Sequence, residues 1–292
     1  MDGLRVRTHH HAAESAAVSA RSITTSRKLS HNLTPMPEVS LREPAVLAFV
    51  ILPLVLLAAL LWGTSAASRR LKEAVTTRRR AVLVTGLTSV LWMALAWFTA
   101  ESGVLRRWDA TPPPFALLVL AIFFVTFLLA CTDYGRRLAV GLPLWVLVGI
   151  QGFRYPLELA MHRMYERGVM PGQMSYSGRN FDIVTGITAV VVSWLVYTRR
   201  AGRGIVLAWN IAGLALVLNV VTVGILSTPR FRFFGDDRLN VFITYTPFIW
   251  LPTVMVVAAL AGHLIVFRAL ATQGERHPTD LQRQLHQPSG RP

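Results

Sequence analysis

The chain has 292 residues, of which 53% are hydrophobic and only 15% charged, whereas soluble domains carry about 25% charged residues; with a mean hydropathy of +0.45 this excludes an ordinary water-soluble domain. The formal charge of +15 would suit nucleic acid, but the basic residues punctuate hydrophobic runs as pairs and triplets, and no soluble basic domain is left once those runs are set aside. Nucleic acid is thereby excluded, and the arginines are expected to lie against the lipid bilayer, facing anionic lipid on its cytoplasmic face.

Residues 1–43 are polar, rich in Ser, Thr, Arg and His, and lack the apolar core of a cleavable signal peptide. They are expected to form a disordered tail, in which His9, His10 and His11 make no fixed metal site. Met36 stands just before the first hydrophobic run and is an alternative start, which the N-terminal mass of the native protein would settle. From Pro44 the uncharged runs cover 44–68, 81–100, 110–132, 138–153, 183–198, 204–229 and 239–267. A bilayer crossing needs about 20 apolar residues, within a range of about 17 to 25, so all but 138–153 and 183–198 qualify outright.

The fold expected is all-α: a polytopic bundle of about seven transmembrane helices over 44–270, followed by a solvated tail at 271–292. No repeat of fixed period is visible, and an odd number of spans argues against two equal inverted halves. Cys131 is the single cysteine and falls in an apolar run, so an internal disulfide is excluded. In a seven-span arrangement, fifteen Lys and Arg fall on the side that holds the 69–80 loop and the C-terminus. Nine fall on the other if the chain starts at Met36, and fourteen if it starts at Met1. The richer side is expected to be cytoplasmic, placing the N-terminus outside and the C-terminus inside.

The two short runs flank the most polar stretch, 151–182. A sixteen-residue helix covers only about 24 Å of a hydrocarbon core about 30 Å thick, so the fourth span completes its crossing only by carrying Arg154 and Glu158 into the membrane. At about 100° per residue, Arg154, Glu158, Gln151, His162, Tyr165 and Glu166 fall on one helix face, with Leu157, Met161 and Met164 on another. Pro156 predicts a kink near Gly152, because its ring displaces that residue's carbonyl. Arg154 and Glu158, four residues apart, either neutralise each other within the bundle or frame a site for a ligand, ion or proton.

The following turn carries Arg179, available to an anion or to Glu166, and Asn180 and Asp182, able to cap the fifth helix. Asn219 lies in the outer half of the sixth helix and Asn240 opens the seventh, both at the depth of the polar stretch. His263 falls near the inner end of the seventh, far from Glu158. The loop 228–240 mixes Arg230 and Arg232 with Phe231, Phe233 and Phe234, as an interfacial anchor does.

H-E-x-x-H, G-x-S-x-G, the P-loop and G-x-G-x-x-G are all missing from the sequence, so no cofactor is assigned and no metal site is predicted. Glu158, His162 and Glu166 share a face but would need metal ligands from other helices. Ser175 and Ser177 lie near His162 only in sequence.

The segments PGQMSYSGRNFDIVTGITA (171–189), WNIAGLALVLNVVTVGILSTP (209–229) and PFIWLP (247–252) together resemble a group of bacterial multi-pass membrane proteins. In that group a Gly-Arg-Asn-Phe-Asp-Ile segment precedes a helix and a Trp-Asn, Leu-Ser-x-Pro helix follows. The likeness covers roughly 138–268, with Ser175-Tyr176-Ser177 standing where the group has Thr-Phe-Glu. It implies an integral protein of a bacterial cytoplasmic (inner) membrane, without implying an activity or protein partner. Three functions stay open. One is binding, transport or sensing of a small polar or ionic ligand at an extracytoplasmic-side cavity centred on Arg154 and Glu158. Another is an intramembrane enzyme using His162 and Glu158 on a lipid-borne substrate. The last is an assembly protein whose charged face docks a partner helix.

Overall fold

The computed structural model describes residue 40 and residues 42–285, with side-chain surroundings to residue 272. The histidine triplet and Met36 lie outside the described residues. Every regular element among those described is helical. Helix α1 (Pro44–Arg70) opens on a proline, whose missing N–H is not needed in a first turn, and ends on Arg69 and Arg70, where positive charge meets the negative end of the helix dipole. Helix α2 (Val75–Glu101) returns beside it, and α3 (Pro114–Cys131) again starts on proline. Their apolar side chains point outward as much as inward. Leu87 is 71% exposed and Phe98 70%, a surface suited to lipid and costly in water.

The fourth expected span changes its limits. Residues 138–141 belong to a separate helix, α4 (Asp133–Gly141), and the chain then breaks at Leu142, which is extended (φ −102°, ψ 144°) because the ring of Pro143 disfavours a helical residue before it. Across this break the axis turns by 113°. A continuous rod follows, made of α5 (Leu144–Gly149), a 3-10 turn (Ile150–Phe153) and α6 (Arg154–Glu166). The 3-10 turn falls where Pro156 removes a backbone bond, as its position predicts. At about 1.5 Å per residue the rod from Leu144 to Glu166 is about 35 Å long, enough to cross, with Arg154 near its middle.

Helix α7 (Ile183–Tyr197) has only 15 residues. It is followed by α8 (Arg203–Leu226). The run expected at 239–267 starts later as a helix: Phe242–Thr244 is a 3-10 turn, Leu251–Val256 a π-helical turn, and α9 runs Val257–Leu285, into the stretch read as a tail. Among the described residues five helices are long and apolar enough to cross a membrane, six if the bent pair counts as one span. The chain is thus an all-α bundle that fits a multi-pass membrane protein, and α7, the predicted fifth crossing, is short by the same measure.

Contacts tie the elements at two ends. At the Arg-rich end Arg137 meets Ser68 and Glu73, and Arg268 donates to the carbonyls of Ala130 and Thr132 at 2.6 and 2.7 Å. At the loop end Arg167 donates to Glu43 at 3.0 Å, Thr246 to Glu101, and Gln173 to the Arg238 carbonyl at 2.7 Å. An apolar cluster that includes Ala67, Leu138, Leu147, Val206 and Ala269 packs toward the Arg-rich end. A smaller one, with Ala96, Ala100, Leu105 and Ile249, packs toward the loop end.

Candidate functional site

Arg154 opens α6 with its side chain 1% exposed, and its Nη1 lies 2.9 Å from Oδ1 of Asp182, itself 7% exposed. The crossing of α6 and α7 sets this pair. A Cβ on Gly186 would fall 2.4 Å from the backbone nitrogen of Tyr155, so glycine alone allows the two backbones to touch there. Asp182 stands one turn before that contact, level with Arg154. Two expectations are corrected by this geometry. The ion-pair partner of Arg154 is Asp182 and not Glu158, and Asp182 makes no side-chain cap on α7. The side chain that satisfies the helix start is Asn180, whose Oδ1 accepts from the Asp182 N–H at 3.0 Å.

Glu158 is 1% exposed and turns away from Arg154 toward Asn180. The Asn180 amide nitrogen lies 2.9 and 2.8 Å from its two oxygens and 2.9 Å from the Met174 carbonyl. One asparagine therefore joins the carboxylate of α6 to the loop before α7 and, through its other atom, to the residue that pairs with Arg154.

A third set of polar groups meets at Gly213 of α8, whose carbonyl lies 3.5 Å from Arg154 Nη1. A Cβ there would fall 2.6 Å from His263 Cε1 and 2.9 Å from Thr185 Cγ2. His263 is therefore a neighbour of Arg154, which corrects its expected place near the inner end of the bundle. Its tautomer follows from Asn210. The Asn210 amide donates to the His263 main-chain carbonyl at 3.0 Å, so its Oδ1 faces His263 Nδ1 at 2.8 Å and must accept a hydrogen bond from it. In the neutral imidazole His263 Nε2 then carries the lone pair. That atom, Gln151 Oε1, Thr185 Oγ1 and the Nε and Nη2 of Arg154 are buried without a protein hydrogen-bond partner. Donors and acceptors are both present, which suits small polar occupants such as water.

The rim at the loop end is different in kind. His162 is half-buried and its Nδ1 lies 2.7 Å from Ser175 Oγ, which is 3.2 Å from Ser177 Oγ. Tyr176 stacks on the imidazole at 4.3 Å between centroids. Glu166 is exposed and engages Arg163 at 2.7 Å and His162 Nε2 at 3.6 Å. His162 and Glu158 thus face different partners, so the acid and base roles proposed for that pair lose their geometry. Arg179 is exposed and lies over the Phe234 ring at 5.3 Å, not beside Glu166. Asn219 is half-buried and donates to the Arg179 carbonyl at 2.7 Å, while Asn240 is buried and donates to the Gly224 carbonyl at 3.1 Å. Neither asparagine bonds to Arg154, Glu158 or Asp182.

Asn210, Thr185 and His263 went unassigned because each is a lone polar residue in an apolar run, on three different helices. Among the described residues no group of three or more His, Cys, Asp or Glu is placed to hold a metal ion. The bundle's cavity of about 530 Å³ is lined by apolar side chains, and none of Arg154, Glu158, Asn180 and Asp182 lines it. Those four residues form a buried polar cluster apart from that cavity.

Fold and cluster define a class: an all-α bundle of membrane-crossing character, with one guanidinium and two carboxylates enclosed between its helices. No family model matches the chain, and no curated protein or solved structure matches it.

Proposed function

We propose that the protein is a multi-pass protein of a bacterial cytoplasmic membrane, N-terminus outside and C-terminus inside, that binds a small ionic ligand at Glu158 and transports or senses it. The observation that carries this reading is a charge count. Two carboxylates, Glu158 and Asp182, are buried with a single guanidinium, Arg154. With both ionised and His263 neutral beside Arg154, the cluster holds one negative charge too many, and an uncompensated buried charge costs several kcal/mol. One positive charge cancels it, so the ligand is a proton or a small monovalent cation. The apolar layer at the Arg-rich end supports access from the loop end, where Glu166 and Arg179 are exposed.

Infrared difference spectra of the full chain in liposomes test this. A protonated-carboxyl band is expected that titrates with pH or is displaced by added sodium or potassium ions, and that Glu158→Gln removes while the helical content stays unchanged. The reading fails if no carboxyl band responds to pH, sodium or potassium, or if the band survives in Glu158→Gln.

A second reading, an enzyme acting on a lipid-borne substrate, is favoured by one observation: the Ser177–Ser175–His162 hydrogen-bond chain at the loop end. Ser177 is exposed and Ser175 is buried. In an acyl transfer Ser177 Oγ would attack an ester carbonyl while its proton passes through Ser175 to His162 Nδ1; the ester C–O bond then breaks, and the same proton goes to the oxygen of the leaving alcohol. A fluorophosphonate probe should then label Ser177, and labelling should vanish in Ser177→Ala and His162→Ala; an unlabelled wild type removes this reading. Docking of a partner helix has no comparable support, since Arg154 and Glu158 are enclosed by the chain's own helices.

A further inference from the structure

The cavity of about 530 Å³ lies between α1, α2, α3, α4 and the helices that begin at Leu144 and Leu251. It falls in the range of small-molecule sites, about 300–1,000 Å³. Leu57, Leu128, Val146 and Ala258 are among its walls. Apart from Ser89, most of the polar side chains that line it are engaged. Tyr134 Oη lies 2.7 Å from Thr64 Oγ1, Trp92 Nε1 donates to the Thr253 carbonyl at 2.7 Å, and Thr88 Oγ1 donates to the Val84 carbonyl at 2.8 Å. A space of this kind between apolar helices offers a guest many dispersion contacts and few hydrogen bonds, and hydrocarbon is the guest that suits it.

The charge beside it selects what the hydrocarbon carries. Gly63 lines the cavity from α1, and Arg70 stands seven residues on, about 10 Å along the axis. Thr88 lines it from α2, and Arg80 stands eight residues back, about 12 Å toward the same end. Tyr134 lines it from α4, with Arg136 in the next positions of that helix. Arg70, Arg79 and Arg80 are exposed, and among the described residues none of them has a carboxylate partner. Glu73, the acidic residue of that turn, is taken by Arg137. Two stations of unpaired positive charge, on α1 and α2, thus lie at a similar depth beyond one end of an apolar slot, while Arg136 on α4 is held by Asp133 at 3.1 Å.

We propose that the cavity holds one acyl chain of an anionic glycerophospholipid, with the lipid phosphate among Arg70, Arg79 and Arg80. This is independent of the ion site at Glu158, which the cavity does not touch. Native mass spectrometry of the full chain, released from micelles containing phosphatidylglycerol and phosphatidylcholine of identical chains, tests it. One phosphatidylglycerol should remain bound, preferred by roughly fivefold for each arginine engaged. The combined Arg70→Gln, Arg79→Gln, Arg80→Gln variant should keep a bound lipid but lose the preference. Ala258→Phe, which fills the slot, should lose the lipid; Leu128→Trp fills it from another wall and replaces that variant if circular dichroism shows it misfolded. Equal retention of the two lipids by the wild type overturns the proposal, as does a lipid that survives in the folded slot-filling variant. A wild-type dimer that the slot-filling variant turns into a monomer overturns it too, assigning the slot to a second copy of the chain.

Discussion

Arg154 holds Asp182 by one nitrogen and leaves its other two without protein partners, in surroundings closed to water. Truncating one member of such a pair costs about 3–5 kcal/mol, because the other charge is left buried alone, whereas replacing both by apolar groups is often close to neutral. Asp182→Asn and Arg154→Met are each expected to lose stability of that order when unfolded by SDS in mixed micelles. The double variant Arg154→Met, Asp182→Leu should recover most of the loss, and a double variant as weak as the worse single one would show that the pair does more than neutralise itself. Two glycines give a contrast. Gly186→Ala places a methyl group 2.4 Å from a backbone nitrogen and should cost about 1–3 kcal/mol by overpacking. Gly168→Ala has open space around it and only its φ of +70° to resist, so about 1–2 kcal/mol is expected, with the Arg154 pair undisturbed. Residue spacing gave Glu158 as the partner of Arg154 because i, i+4 neighbours on one helix are all that a linear sequence displays. The true partner is 28 positions away, brought in by a glycine contact.

At the scale of elements, the shortage of apolar length in the fourth run predicted a helix that continues through Arg154 and Glu158, and the helical run does so from a different start. The rod is long enough to cross and carries Arg154 and Glu158 along its length, but it starts at Leu144, since Pro143 diverts the preceding residues into α4. Pre-proline geometry was readable at 142–143; the direction of the 113° turn was not, because it depends on what α4 packs against. In a Cys131→Ser background, a cysteine at position 154 or 158 should resist a membrane-impermeant maleimide, while cysteines at the exposed positions 166 and 179 should react. Rapid labelling at 154 and 158 in the folded protein would place the cluster in water and remove the cost on which the ion site is argued.

For the whole molecule, the charge imbalance between the two sides and the seven apolar runs predict ends on opposite faces of the membrane. A reporter active only in the cytoplasm should work when fused after residue 285 and fail when inserted at Gly235, and a periplasmic reporter should show the reverse. Both fusions reporting the same side would mean that the last helix does not cross, and the two reporters exchanging sides would mean that α7, with its 15 residues, does not cross. The all-helical fold, the membrane-crossing character and the stretch where charge enters the bundle were set by the sequence alone, because the free energy of apolar length in lipid depends on composition and hardly on neighbours. The tertiary structure alone decided which polar atoms meet: Arg154 with Asp182, Glu158 with Asn180, and His263 with Asn210 beside Gly213. A hydrogen bond or ion pair acts only over a few ångströms, so its partners are fixed by how the helices rotate and cross.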